Sequence, residues 1–151
     1  MPTKKVLGTN PKDLLGVKKI SLSKVPAVAI AHEAHAMMDG ARKYNPFNWR
    51  GNAIIASIYV DACRRHIDLW FDAQQRCAVD SNVHHLGHAR ACLGILLDAE
   101  ATGDLVDDRP TPGAIEAVHL EIQGKIQELY DRLAKDALKL ERAKKRKVKR
   151  K

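Results

Sequence analysis

The chain has 151 residues, 45% of them apolar, and 26 basic residues against 18 acidic ones give a formal charge of +8. One domain is the default at this length, and strand signals are thin because no long run alternates with period two and aromatics make up only 5%. Three cysteines without a Cys-x-x-Cys pair fit no disulfide framework, and no apolar run is long enough to span a bilayer, so a soluble protein of a reducing cytoplasm is expected.

Helical spacing dominates, and an all-α fold is expected. Residues 1 to 22 mix Lys, Gly and Pro with scattered apolar residues and read as an N-terminal arm. A first helix is expected from about Lys24 to Asp39, with Ser23 as N-cap, Pro26 in the first turn and Gly40 as the stop. Its His32, Glu33 and His35 do not make the zinc-protease motif, which needs histidines four apart. Glu33 stands as a candidate metal carboxylate or a solvated one.

The loop from Lys43 to Asn52 joins positive charge at Lys43 and Arg50 to flat surfaces at Tyr44, Phe47 and Trp49. It fits either a hydrophobic plug or a nucleotide pocket, with phosphates on the cations, a base on a ring and Asn48 at the base edge. Pro46 disfavours helix at Asn45, and Asn52 is placed to cap the next helix.

The second helix is expected over about Ala53 to Gln74, with Ile55, Ile58, Tyr59, Ala62, His66, Leu69 and Trp70 on its apolar face. Asp61, Arg65, Asp68 and Asp72 follow at helical steps and line another face. Asp61 and Arg65 suit an ion pair, whereas Asp68 and Asp72 repel unless a cation lies between them. A lone His66 on an apolar face would be a core residue, but Arg65 and Asp68 flank it. After a polar loop to Asn82, a third helix is expected from about Val83 to Ala101, ended by Gly103 and buried by Leu86, Leu93, Ile95, Leu96 and Leu97. His85 and His88 are neighbours on its first turns, while Asp98 is far around and along the helix from His85 and suits a structural role.

Asp104 to Gly113 reads as a linker, and a last helix starts near Ala114. Its Ile115, Val118, Ile122, Ile126, Leu129, Leu133, Ala137 and Leu140 make a narrow stripe, as in a helix that packs along a partner. Arg142 to Lys151 then holds eight of the 26 basic residues and no acid, so the rest of the chain is formally neutral. This basic tail is expected to be solvated, with weak nucleic-acid contact as the functional alternative. The expected division is thus 1 to 22, a helical domain over 23 to 141, and a tail over 142 to 151.

Carboxylates, clustered histidines and a basic-aromatic loop together suggest metal-assisted phosphate chemistry. Mg²⁺ or Mn²⁺ would neutralise a triphosphate, with imidazole acceptable to Mn²⁺ and suited to base work at neutral pH. The chain has no Gly-rich phosphate loop and no His-Asp doublet.

The series Lys43-Tyr44, Asn48-Trp49-Arg50, Arg65-His66, Trp70, Ser81, His85-Leu86, His88-Ala89 and Leu96-Leu97-Asp98 resembles the phage dATP/dGTP diphosphohydrolase family over roughly residues 25 to 102. That family is similar to the MazG-like all-α nucleotide pyrophosphohydrolases, whose Glu-x-x-Glu and Glu-x-x-Asp motifs do not stand in this sequence; His85-x-x-His88 takes the place of the second. The resemblance implies a MazG-like helical bundle that assembles as a homodimer or homotetramer. It also implies cleavage of a purine (deoxy)nucleoside triphosphate, above all dGTP, to dGMP and pyrophosphate. In the cytoplasm of an infected cell that dGMP would feed 2-aminoadenine nucleotide synthesis. On this reading His66, His85 and His88 are catalytic. Glu33, Asp61, Asp68, His85 and His88 are the metal-ligand candidates, and Mg²⁺ or Mn²⁺ is the cofactor. Lys43, Arg50 and Arg65 would hold phosphates, and Tyr44, Asn48 and Trp49 the base. The rival expectation is a helical nucleic-acid-binding accessory protein acting through its tail.

Overall fold

The computed structural model describes residues 10–148 and is all-α, with two short strands. The parts of the arm and tail expectations that concern residues 1–9 and 149–151 lie outside the described residues. The chain divides into two units, one ending at Arg109 and the other beginning at Pro110.

In the first unit, helix α1 (Pro11–Gly16) lies within the expected arm. Asn10 caps it by accepting from the Lys12 amide at 3.0 Å, and Pro11 sits where a missing N–H costs nothing. Ser23 lies inside a 3₁₀ turn over Leu22–Lys24 and does not cap α2 (Ala27–Tyr44), which Pro26 precedes. Gly40 does not stop α2. Asp39 reaches Arg42 and Lys43, three and four residues on, and these pairs carry the helix across the glycine. The stop falls at Asn45, at a φ of 73°, directly before Pro46.

After a 3₁₀ turn over Asn48–Arg50, strand β1 (Ile54–Ile55) pairs in parallel with β2 (Leu105–Val106). Asn52 does not cap a helix; its amide donates to the Asn48 carbonyl at 2.6 Å. Helix α3 (Ala56–Phe71) is capped from a distance, the Asp108 carboxylate accepting from the Ser57 amide at 2.9 Å and from the Ser57 hydroxyl. Helix α4 (His85–Thr102) opens with the His84 imidazole accepting from the Leu86 amide at 3.1 Å and closes at Gly103, in the left-handed region with φ 84°.

Helices α2 and α4 meet closely because two glycines of α4 face α2. A Cβ on Gly87 would lie 2.5 Å from the His32 carbonyl oxygen, and one on Gly94 would lie 2.8 Å from Glu33 Oε1. The core is small: Ala36, Val83 and Ala91, with Met37 packed on it, and elsewhere Ile54, Ala56, Cys63 and Ala99. Leu93 and Leu97, expected to bury α4, are exposed, as are Ile58, Ile67 and Phe71 on α3.

Among its described residues the second unit contains one helix, α5 (Ile115–Val148), which runs on through the start of the basic segment.

Candidate active site

A cavity of about 440 Å³ opens between α2, α3 and α4. Helix α2 supplies Asp39, Gly40, Lys43 and Tyr44; the turn before β1 supplies Asn48; α3 supplies Tyr59 and His66; the loop before α4 supplies Asp80; α4 supplies His88 and Cys92. Five of the residues singled out in the sequence, Lys43, Tyr44, Asn48, His66 and His88, therefore share one wall-to-wall space.

Its charged side is built on α2. Asp39 is buried, with its side chain 7% exposed. Its Oδ2 accepts from Lys43 Nζ at 2.7 Å and its Oδ1 from Arg42 Nη2 at 2.9 Å. Lys43 Nζ also reaches Asp80 Oδ2 at 3.3 Å, so one ammonium sits between two carboxylates. The Lys43 bond, assisted by Arg42, holds the Asp39 carboxyl below the usual range against the opposing effect of burial, and the Asp39 bond in turn pushes the Lys43 ammonium up.

Its basic-nitrogen side is a histidine cluster. His66 Nδ1 and His85 Nδ1 lie 2.8 Å apart, so one of the two carries a proton and the other accepts it. The His66 and His88 rings stack, with centroids 4.5 Å apart and planes 13° off parallel. Burial first, then the neighbouring His88 and His85, pushes His66 down to about 4, so it is neutral at pH 7. His88 is lowered by burial as well, although Asp39 and Asp80 pull the other way. Ser81 Oγ takes the Val83 amide at 3.4 Å, leaving its own proton for His88 Nε2 at 3.2 Å. His85 is 2% exposed, and its Nε2 is buried without a hydrogen-bond partner among the described residues. Burial raises the Cys92 thiol to about 11, which keeps it protonated and unreactive.

The remaining candidates lie elsewhere. Trp49 Nε1 donates to Asp98 at 2.8 Å, and Arg50 grips the same carboxylate through two bonds of 2.7 Å. The structural role expected of Asp98 is thus to anchor the turn that carries Asn48. Glu33 Oε2 accepts from Arg90 Nε at 3.1 Å and Nη2 at 2.7 Å. Glu33, Trp49, Arg50 and Asp98 line a second cavity, of about 470 Å³. Asp61, Arg65 and Asp68 are exposed on α3 and line neither space.

The five expected metal ligands are therefore dispersed, and among the described residues no three His, Cys, Asp or Glu side chains converge as a ligand set. The donors among the described residues do not fit a resident divalent ion in this arrangement. The sequence reading also passed over Asp39 and Asp80. The signal for Asp39 was present in the spacing of Asp39, Arg42 and Lys43 on one helix. Asp80 comes to the cavity only through the loop's tertiary path.

An all-α bundle whose central cavity is lined by a lysine, carboxylates and neutral imidazoles has the make-up of a site for a charged small molecule. Residues 9–109 match the N-terminal domain of the dATP/dGTP diphosphohydrolases, and the chain belongs to that family of nucleotide-hydrolysing enzymes. No curated protein and no solved structure matches it. No helix among the described residues is long and apolar enough to cross a membrane.

Proposed function

We propose that the chain hydrolyses dGTP to dGMP and pyrophosphate in the cavity between α2, α3 and α4. The observation that carries this reading is the convergence there of Lys43, Tyr44 and Asn48 with His66 and His88, inside the span of the family match. Lys43 donates to the phosphates. Tyr44, 64% exposed at the rim, offers its ring to the base, and Asn48 offers its amide to the purine edge. Trp49 and Arg50 act one step back, holding the Asn48 turn through Asp98.

Water attacks the α-phosphorus, the bond from that phosphorus to the α–β bridging oxygen breaks, and pyrophosphate leaves with the electron pair. His66 takes the water's proton. Its Nδ1 is committed to His85, which leaves Nε2 for the transfer, and the Asp80 charge favours the imidazolium that forms. His88, fixed by Ser81, holds the stacked ring in place. The divalent ion, Mg²⁺ or Mn²⁺, enters bound to the triphosphate as part of the substrate. The dGMP released serves phage synthesis of 2-aminoadenine nucleotides.

The first unit assembles as a homodimer or homotetramer. Support comes from Ile67, Phe71 and Leu97, large apolar side chains left exposed by a small core.

A single turnover of dGTP in ¹⁸O-water tests the chemistry. The label is expected in dGMP. Label in pyrophosphate places the attack on the β-phosphorus and overturns the mechanism.

A further inference from the structure

The stripe on α5 repeats every eleven residues. Ile115, Ile126 and Ala137 recur at that interval, as do Val118, Leu129 and Leu140, and Ile122 with Leu133. Eleven residues in three turns is about 3.67 per turn, the period of helices that coil with a right-handed sense rather than the left-handed sense of heptads. From Ile115 to Leu140 the large side chains of the stripe are 42–65% exposed. The whole stripe lies beyond the 9–109 span of the family match, so its role is separate from the hydrolytic site.

The spacing reads the same in both directions. A second α5 running the opposite way brings Ile115 against Leu140, Val118 against Ala137, Ile122 against Leu133 and Ile126 against Leu129, with every stripe residue facing another. A parallel copy in register also aligns the stripe, each residue facing itself, so apolar contact alone does not choose between the two.

Charge chooses. From Ile115 to Asp131 the helix has Glu116, Glu121, Glu128 and Asp131 against Lys125. From Arg132 to Val148 it has eight basic residues against Asp136 and Glu141. Parallel pairing sets the basic ends side by side, within about the 8 Å over which physiological salt leaves repulsion unscreened. Antiparallel pairing sets the acidic half on Arg132, Lys135 and Lys139, with Glu116 beside Lys139, Glu121 beside Lys135 and Lys125 beside Asp131, and carries the basic residues from Arg142 onward to opposite ends of the pair. The bonds these lysines make within the helix, to Glu121 and Asp136, are exposed and weak enough to exchange. We propose that α5 is an interaction surface that pairs antiparallel, with an eleven-residue repeat, with α5 of a second copy of this chain.

Spin labels test this on the full chain. They are introduced one position at a time through a keto-bearing amino acid, so that Cys63, Cys77 and Cys92 stay untouched. At 1.5 Å of rise per residue, labels at Glu116 of two antiparallel copies lie about 35 Å apart, whereas labels at Gln127, near the two-fold, lie within about 15 Å. The expected result is that long and short pair of distances. A second measurement repeats the Gln127 distance with Ile122→Asp and Leu133→Asp introduced together, where the short coupling is expected to vanish whether or not the first units stay assembled. A short distance at Glu116, with or without added duplex DNA, puts the basic ends together and overturns the antiparallel assignment. Absence of the short Gln127 coupling in the otherwise unaltered chain, or an unchanged coupling in the double variant, overturns the pairing itself.

Discussion

Replacing Gly87 with alanine tests whether close contact of α2 and α4 builds the cavity. The new Cβ would lie 2.5 Å from the His32 carbonyl oxygen and 3.0 Å from its carbon, both of them backbone. An ordinary carbon–oxygen contact is about 3.3 Å, so the helices must part by roughly 0.8 Å. No flexible side chain can absorb that shift. Overpacking of this kind costs about 1–3 kcal/mol, partly offset by alanine's helix preference of about 1 kcal/mol. A net loss of up to about 2 kcal/mol is expected, read as a lower midpoint in urea with an unchanged slope. Gly124 of α5 is the control, because a Cβ there meets nothing within 4 Å. Gly124→Ala should therefore stabilise its helix by about 0.5–1 kcal/mol. Turnover should fall in the Gly87 variant as well, since α2 carries Asp39 and Lys43 while α4 carries His88. A Gly87→Ala protein as stable and as active as the parent would refute the close-contact reasoning.

Four further outcomes are expected. His66→Gln should lower kcat by about 100-fold or more with no change in far-ultraviolet circular dichroism, as for loss of a general base; near-parent turnover removes His66 from that role. The acid limb of kcat/KM should fall near pH 4, where His66 titrates, and a limb near 6.5 would assign the proton transfer elsewhere. The same shift has a stability sign: with a folded value of about 4 below an unfolded value near 6.5, the contribution of His66 is full above about 6.5 and is lost as pH falls toward 4, a trend that chemical denaturation across that window reads directly. Lys43→Met should cost about 10–100-fold in kcat/KM, the worth of one hydrogen bond to a charged group, and Lys43→Arg should recover part of it; equal kinetics for Met and Arg would argue that Lys43 does not meet the phosphates.

Much of the bundle was legible because its helices carry a 3.6-residue pattern between strong punctuation. Gly103 ended α4 as expected, and Pro46 keeps Asn45 out of a helix as expected, although α2 runs up to it rather than stopping at Gly40. Gly40 misled because its breaking tendency, about 1 kcal/mol, is offset by the pairs Asp39 makes across it. The strands Ile54–Ile55 and Leu105–Val106 are two residues each, too short for a period-two signal. At the site, Lys43, Tyr44 and Asn48 were visible as a basic-aromatic loop and His66 and His88 as chemistry on helices, and the fold brings them together. Spacing could not show that Glu33 is held by Arg90, or that Trp49 and Arg50 are held by Asp98, since these bonds join residues nearly fifty or more positions apart.

The most direct measurement is ion-exchange analysis of the products after the full chain meets each of dATP, dGTP, dCTP and dTTP with Mg²⁺ or Mn²⁺. The predicted result is dGMP and pyrophosphate, with dGTP consumed fastest and the pyrimidine nucleotides spared. Formation of dGDP and phosphate, or of deoxyguanosine and tripolyphosphate, would contradict cleavage between the α and β phosphates.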